Sequence, residues 1–144
     1  MANRRAADVD PLDRLRVICL AMPEVTERLS HGAPTWFVRD KKVIVTYFPE
    51  GHHDNEFPHL WCAARPGEQQ ELIAVDPERF FRPPYVGGRG WIGLRLDVRP
   101  DWDEIAELCV EAYRVVAPAT LVRLLDAPHG WFDPFRDAGR LDLG

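Results

Sequence analysis

Along this chain, stretches in which apolar residues return with a helical period are separated by stretches in which they return every second residue. Leu12, Leu15, Ile18, Cys19 and Met22 keep helical spacing behind Asp10-Pro11, an N-cap side chain followed by a proline at N1, and Pro23 stops the run. Glu24 to Gly32 is short and mixed and reads as an edge strand or a loop. Thr35 to Arg39 and Val43 to Phe48 are β-rich runs around the charged turn Asp40-Lys41-Lys42, which predicts a hairpin ended by Pro49. Glu50 to His59 is polar and irregular, and Leu60 to Ala64 reads as a third strand. A short helix follows over Glu68 to Val75, with Leu72, Ile73 and Val75 expected to be buried. The best-marked element is a long helix capped by Asp101, with Glu104 positioned to close a capping box and Ile105, Leu108, Cys109, Ala112 and Val116 in one stripe. Pro118 starts a last helix through Leu121, Val122, Leu124 and Leu125.

Between the two later helices lies the stretch with the densest combination of signals, Phe80 to Asp97. Its alternation places Ile92, Leu94 and Leu96 on one side of a strand and Trp91, Gly93, Arg95 and Asp97 on the other. Pro83-Pro84 ends the incoming strand, and Gly87, Gly88 and Gly90 permit an irregular return. The predicted hairpin carries Tyr85, Arg89 and Trp91 at its tip. Helix, strands, short helix, strands and long helix do not alternate as a parallel βαβ sheet would. The order predicts an α+β fold, a twisted antiparallel sheet with the N-terminal and long C-terminal helices on one face. A single domain over residues 10–126 is expected, with a flexible N-terminus at 1–9 and a tail at 127–144 that holds Trp131, Phe132 and Phe135.

A chain of 144 residues can bury roughly 70% of its unfolded surface without staples. Cys19, Cys62 and Cys109 are far apart and lack C-x-x-C spacing, which reads as reduced core thiols of a cytoplasmic protein. No apolar run reaches the length of a membrane span, and Met1 to Asp10 lacks the apolar segment of a secretory signal. The net charge of −5 argues against a nucleic-acid coat held by bulk positive potential. Any such binding has to be local. From Arg79 to Arg99 five arginines (79, 82, 89, 95, 99) face one acid, Asp97, a local balance of +4.

Several stretches carry a resemblance: Ser30-His31-Gly32-Ala33-Pro34-Thr35-Trp36-Phe37-Val38 running into Lys41-Lys42-Val43; Asp76-Pro77-Glu78-Arg79-Phe80-Phe81-Arg82-Pro83-Pro84-Tyr85-Val86-Gly87 with Arg89-Gly90-Trp91-Ile92-Gly93; Asp101-Trp102; and Ala112-Tyr113-Arg114. In order and spacing they resemble the YjbR/MmcQ family from about Pro23 to Leu125. The resemblance implies a compact α+β fold related to the type III secretion chaperone architecture. No catalytic signature stands out in the sequence, so neither enzymatic activity nor a cofactor is expected. The resemblance also implies DNA binding through a "double wing" of two β-hairpins, here Trp36 to Phe48 and Phe80 to Asp97.

Three readings of the chemistry stand side by side. As a DNA surface, Lys41, Lys42, Arg82, Arg89 and Arg95 would meet phosphates while Tyr85 and Trp91 pack on sugar or on an unpaired base. Five such contacts give a slope of about −4.5 in log K against log salt, roughly 500-fold between 50 and 200 mM. The structural counterpart is a sheet rim whose arginines pair with acids such as Asp97. As a metal site, His52, His53, Asp54 and His59 with Cys62 supply zinc-type ligands, although adjacent histidines diverge and H-x-x-x-H spacing is absent. As a protein-interaction module, the chain would use Tyr85, Trp91 or the aromatic tail. His31 reads either as a general base or as a turn residue. Gly87-Gly88-Arg89-Gly90 is a candidate anion nest, but with no helix behind it and no Lys-Ser/Thr it does not read as a nucleotide P-loop.

Overall fold

The computed structural model describes residues 9–52 and 55–127. Asp10 caps α1 (Pro11–Leu20) by accepting a hydrogen bond from the Leu12 amide at 2.9 Å. Leu15, Ile18 and Cys19 carry its buried stripe. Glu24 to Gly32 resolves into the edge strand β1 (Val25–Ser30), joined to β2 (Ala33–Val38) by the two-residue turn His31-Gly32. Both turn residues have positive φ, 51° and 81°, as a type I′ hairpin requires. β3 (Lys42–Phe48) returns after Arg39-Asp40-Lys41, and a bulge shifts the β2–β3 register between Trp36 and Phe37.

β4 (His59–Cys62) pairs with β3 on one side and β6 (Ile92–Arg95) on the other, while β5 (Phe80–Phe81) pairs with β6. All pairings are antiparallel, in the order β1-β2-β3-β4-β6-β5. The second predicted hairpin is therefore real but asymmetric. Its incoming strand has only two residues, and the connection 82–91 is a long loop with one 3-10 turn, Gly87–Arg89.

Strand alternation sorts the sheet into two faces. Tyr47, Leu60, Cys62, Ile92, Leu94 and Phe80 share one face and join the core with the helices, where Cys62 neighbours Cys109 of α3 (Trp102–Val116). Burial holds the Cys62 thiol protonated, well above its ordinary range. On the other face, paired rows bring Phe48 beside His59, and Thr46 beside Trp61, Gly93 and Phe81. A Cβ on Gly93 would lie 2.4 Å from the Phe81 ring, so the absence of a side chain there is what lets Phe81 lie flat across β6.

The capping box is half made. Asp101 accepts from the amides of Asp103 and Glu104, but the Glu104 carboxylate turns instead to Arg79. In α2 (Glu68–Val75) the expected burial of Val75 fails, since it is 80% exposed and Leu72 and Ile73 are only half-buried. The buried residue is Gln69, whose amide Nε2 donates to the carbonyls of Gly87, at 2.9 Å, and Trp91. Periodicity could not find it, because α2 docks on the loop 82–91 through polar contacts. α4 (Ala119–Leu125) buries Leu121 and Leu125, and Leu124 is exposed.

Candidate nucleic-acid interface

Topology decides which turns meet. β3 and β6 are both antiparallel to β4 and hence parallel to each other, so their starts lie at one end of the sheet, two strand spacings or about 10 Å apart. Lys42 opens β3, and the loop carrying Arg89 leads into β6. Lys41, Lys42 and Arg89 accordingly line one concavity of about 640 Å³, whose floor is Thr46, Trp61, Ala63 and Ala64. Among the described residues none of these three cations has a carboxylate within ion-pair distance. Arg89 leans over the Trp91 ring at 5.4 Å. Val115 and Val116, in the last turn of α3, complete the wall, and a helix C-terminus favours cations beside it.

The loop 82–91 does not stand out from the sheet as a wing tip. It folds back across β4 toward β3, where Val86 lines the same cavities as Thr46 and Trp61, and Tyr85 comes within 6.2 Å of the His52 ring. There it roofs a second cavity of about 530 Å³ lined by Ser30, His31, Thr46, Phe48, His52, Trp61, Tyr85 and Val86. Thr46, Trp61 and Val86 line both cavities, so they form one groove, cationic at one end and mainly aromatic at the other. Tyr85 is 77% exposed and sits at φ 66°, in the left-handed region that non-glycine residues seldom enter.

Several proposed contacts are corrected. Trp91 is not at an exposed tip: it is 6% exposed, because Gln69 holds its carbonyl and Ile92 beyond it is in the core. Arg95 is neutralised, its Nε and Nη2 each donating to an Asp97 carboxylate oxygen at 2.9 Å while the guanidinium lies over Phe57 at 4.1 Å. That bond holds the Asp97 carboxyl below the usual carboxylate range. Arg79 pairs with Asp76 and Glu104, and Arg99 with Asp76 and Glu78. The local excess of +4 therefore shrinks to Arg82 and Arg89, and Arg82 is exposed beside the Gly87 backbone, outside the groove lining. Nor does Gly87-Gly88-Arg89-Gly90 build a nest: within the 3-10 turn the Arg89 and Gly90 amides are spent on the Val86 and Gly87 carbonyls.

The histidines separate as well. His59 is fully buried between Phe48, Phe57, Trp61 and Phe81, and its Nδ1 lies 2.7 Å from the Phe57 carbonyl, so Nδ1–H is the donor. Burial pushes its pKa down. Cys62 is on the opposite face of β4 and cannot share an ion with His59. Among the described residues no group of three His, Cys, Asp or Glu is placed to hold a metal. His53 and Asp54 lie outside the described residues, as do residues 1–8 and the tail residues Trp131, Phe132 and Phe135. His31 is a turn residue whose side chain lines the groove. Trp61, Thr46 and Phe48 were missed as groove residues. Their β-period signal announces a strand, without saying which face stays open. Among the described residues no helix is long and apolar enough to cross a membrane.

Comparison with known proteins agrees with this architecture. The crystal structure of Deinococcus radiodurans protein DR2400, which has a DUF419 domain, is similar over 81% of this chain and 88% of that one, with a TM-score of 0.65 at 18% identity. That likeness shows the fold. No curated protein matches the sequence. The sequence model that does match is YjbR, and it spans residues 20–115, from the end of α1 through nearly all of α3. With two thirds of its length inside that match and the expected sheet order in place, this chain belongs to the YjbR family.

Proposed function

We propose that this chain is a non-enzymatic, cytoplasmic DNA-binding protein that grips phosphates at the cationic end of the groove, through Lys41, Lys42 and Arg89. The observation that carries this reading is the convergence on one cavity wall of cations that are unpaired among the described residues and come from two turns more than forty residues apart. In a chain of net charge −5 the surface at large repels a polyanion, so cations kept clear of carboxylates mark where one can approach. Both hairpins contribute, but by enclosing a groove rather than by projecting two tips. Protein-interaction chemistry through Tyr85, Trp91 or the aromatic tail is a separate reading; of these Tyr85 is exposed, Trp91 is buried, and the tail lies outside the described residues.

The test is fluorescence anisotropy with a labelled oligonucleotide in 50 and 200 mM salt. Three phosphate contacts give a slope of about −2.1 on a single strand to −2.7 on a duplex, roughly 20- to 40-fold weaker binding at the higher salt. Replacing Lys41, Lys42 and Arg89 together by Gln should remove most of that dependence, whereas Arg95→Gln and Arg99→Gln, whose charges are already paired, should leave it alone. Failure to bind at 50 mM, or a triple variant that binds like the parent, refutes the reading.

A further inference from the structure

We infer that the DNA taken by this groove is single-stranded, with one unpaired base seated in the aromatic cavity between Tyr85 and Trp61. The inference rests on the phosphate reading above and specifies its ligand. The aromatic cavity adjoins the cationic one across Thr46, Trp61 and Val86, which line both, so a bound nucleotide can reach both at once. At about 530 Å³ it is within the range of small-ligand sites, and the loop 82–91 partly roofs it, which leaves no room for a duplex to lie on its floor. Tyr85 offers an exposed ring for stacking above a floor of Phe48 and Trp61, while the hydroxyls of Ser30 and Thr46 and the His31 side chain add groups able to meet a base edge.

One further observation points to an occupant. Tyr85 is held over the cavity mouth at φ 66°, a backbone conformation that costs stability in a tyrosine and that glycine would adopt freely. A strained, exposed aromatic at the mouth of an aromatic cavity is what a stacking contact needs.

The strain also makes the experiment clean, because Tyr85→Gly removes the ring while relaxing the backbone, so the variant should fold at least as well as the parent. A twelve-nucleotide single strand carrying 2-aminopurine, the matching duplex and free deoxyadenosine monophosphate are titrated against both proteins. The single strand should bind more tightly than the duplex and lose 2-aminopurine fluorescence on binding. Tyr85→Gly should weaken the single strand about 5- to 150-fold, the range of base–aromatic stacking, and leave duplex affinity and the salt slope unchanged. Equal affinity for both forms, or a Tyr85→Gly protein indistinguishable from the parent, overturns the base site; the phosphate reading then stands or falls separately on the triple Gln variant. Competition by the mononucleotide at concentrations comparable to the oligonucleotide overturns single-stranded DNA as the occupant in favour of a free nucleotide.

Discussion

Gly93→Ala perturbs the fold and the groove together, and its cost can be worked from geometry. A methyl group at Gly93 would stand 2.4 Å from two ring carbons of Phe81 and 2.8 Å from a third, against an ordinary carbon–carbon separation of about 3.5–4.0 Å. The ring must retreat by about 1 Å or more. It has little room to do so, since Phe57 and His59 stand edge-on to it at 5.6 and 5.3 Å and β5 consists of Phe80 and Phe81 alone. Overpacking of this kind costs about 1–3 kcal/mol, which for a chain of this length lowers the melting temperature by roughly 3–9 °C. Gly93 is not among the residues at positive φ, so alanine is otherwise acceptable there and should even reduce unfolded-state entropy. The penalty should therefore vanish, or reverse sign, when Gly93→Ala is made in a Phe81→Ala background. A double-mutant cycle by urea unfolding measures the coupling. If Gly93→Ala costs under about 0.5 kcal/mol, or costs the same with and without the Phe81 ring, the close approach is not what fixes glycine at this position. Because Phe81 anchors the start of the loop that carries Tyr85 and Arg89, the same substitution should also weaken oligonucleotide binding.

Gln69→Leu should destabilise the protein by about 1–3 kcal/mol, because the Gly87 and Trp91 carbonyls lose their buried donor, and hydrogen exchange should show faster opening of residues 82–91 specifically. Protection unchanged in that loop would show that α2 does not clamp it. For His59 burial lowers the folded-state pKa beneath the unfolded value of about 6.5, so the unfolded chain binds the extra proton. Its contribution is thus complete above about pH 6.5 and is lost as pH falls from there toward the folded pKa, at up to about 1.4 kcal/mol per pH unit. His59→Phe should flatten that part of the unfolding curve between pH 7 and 5 relative to the parent; parallel curves would exclude His59 as its source.

Most of the architecture was legible because its signals are local. Asp10-Pro11 and Asp101 cap the helices they appear to cap, and the alternation at Ile92, Leu94 and Leu96 does bury one face of β6. The family-like motifs turn out to be chiefly architectural. His31-Gly32 makes the β1–β2 turn, Tyr113 donates its hydroxyl to the Pro23 carbonyl at 2.8 Å, and Arg79 ties Asp76 to Glu104. What failed was the reading of α2 and of Trp91, and for one reason. Hydrophobic periodicity assumes that an element packs through its apolar side, whereas Gln69 docks α2 through hydrogen bonds to a loop, and that loop draws Trp91 inward.

The groove was less legible, since counting charges along the chain says nothing about where their partners are. Arg95 finds Asp97 two residues away, but Arg79 needs Glu104 across 25 residues, and only folding brings that pair together. Among the described residues the same folding leaves Lys41, Lys42 and Arg89 without carboxylates at the shared end of β3 and β6. A nucleic-acid surface in an acidic protein is thus defined by subtraction. Most arginines of the basic stretch are spent on holding α2, α3 and the sheet together; of the two that remain, Arg82 lies outside the groove, and Arg89 joins Lys41 and Lys42 where the strand order opens a cavity. Changing the partners rather than the cations tests this: Asp97→Asn should release Arg95 on the groove-bearing face of the sheet and raise oligonucleotide affinity at 50 mM salt, with a slope steeper by about 0.7 to 0.9. An unchanged slope would mean that position within the groove, and not freedom from carboxylates, selects the cations that bind.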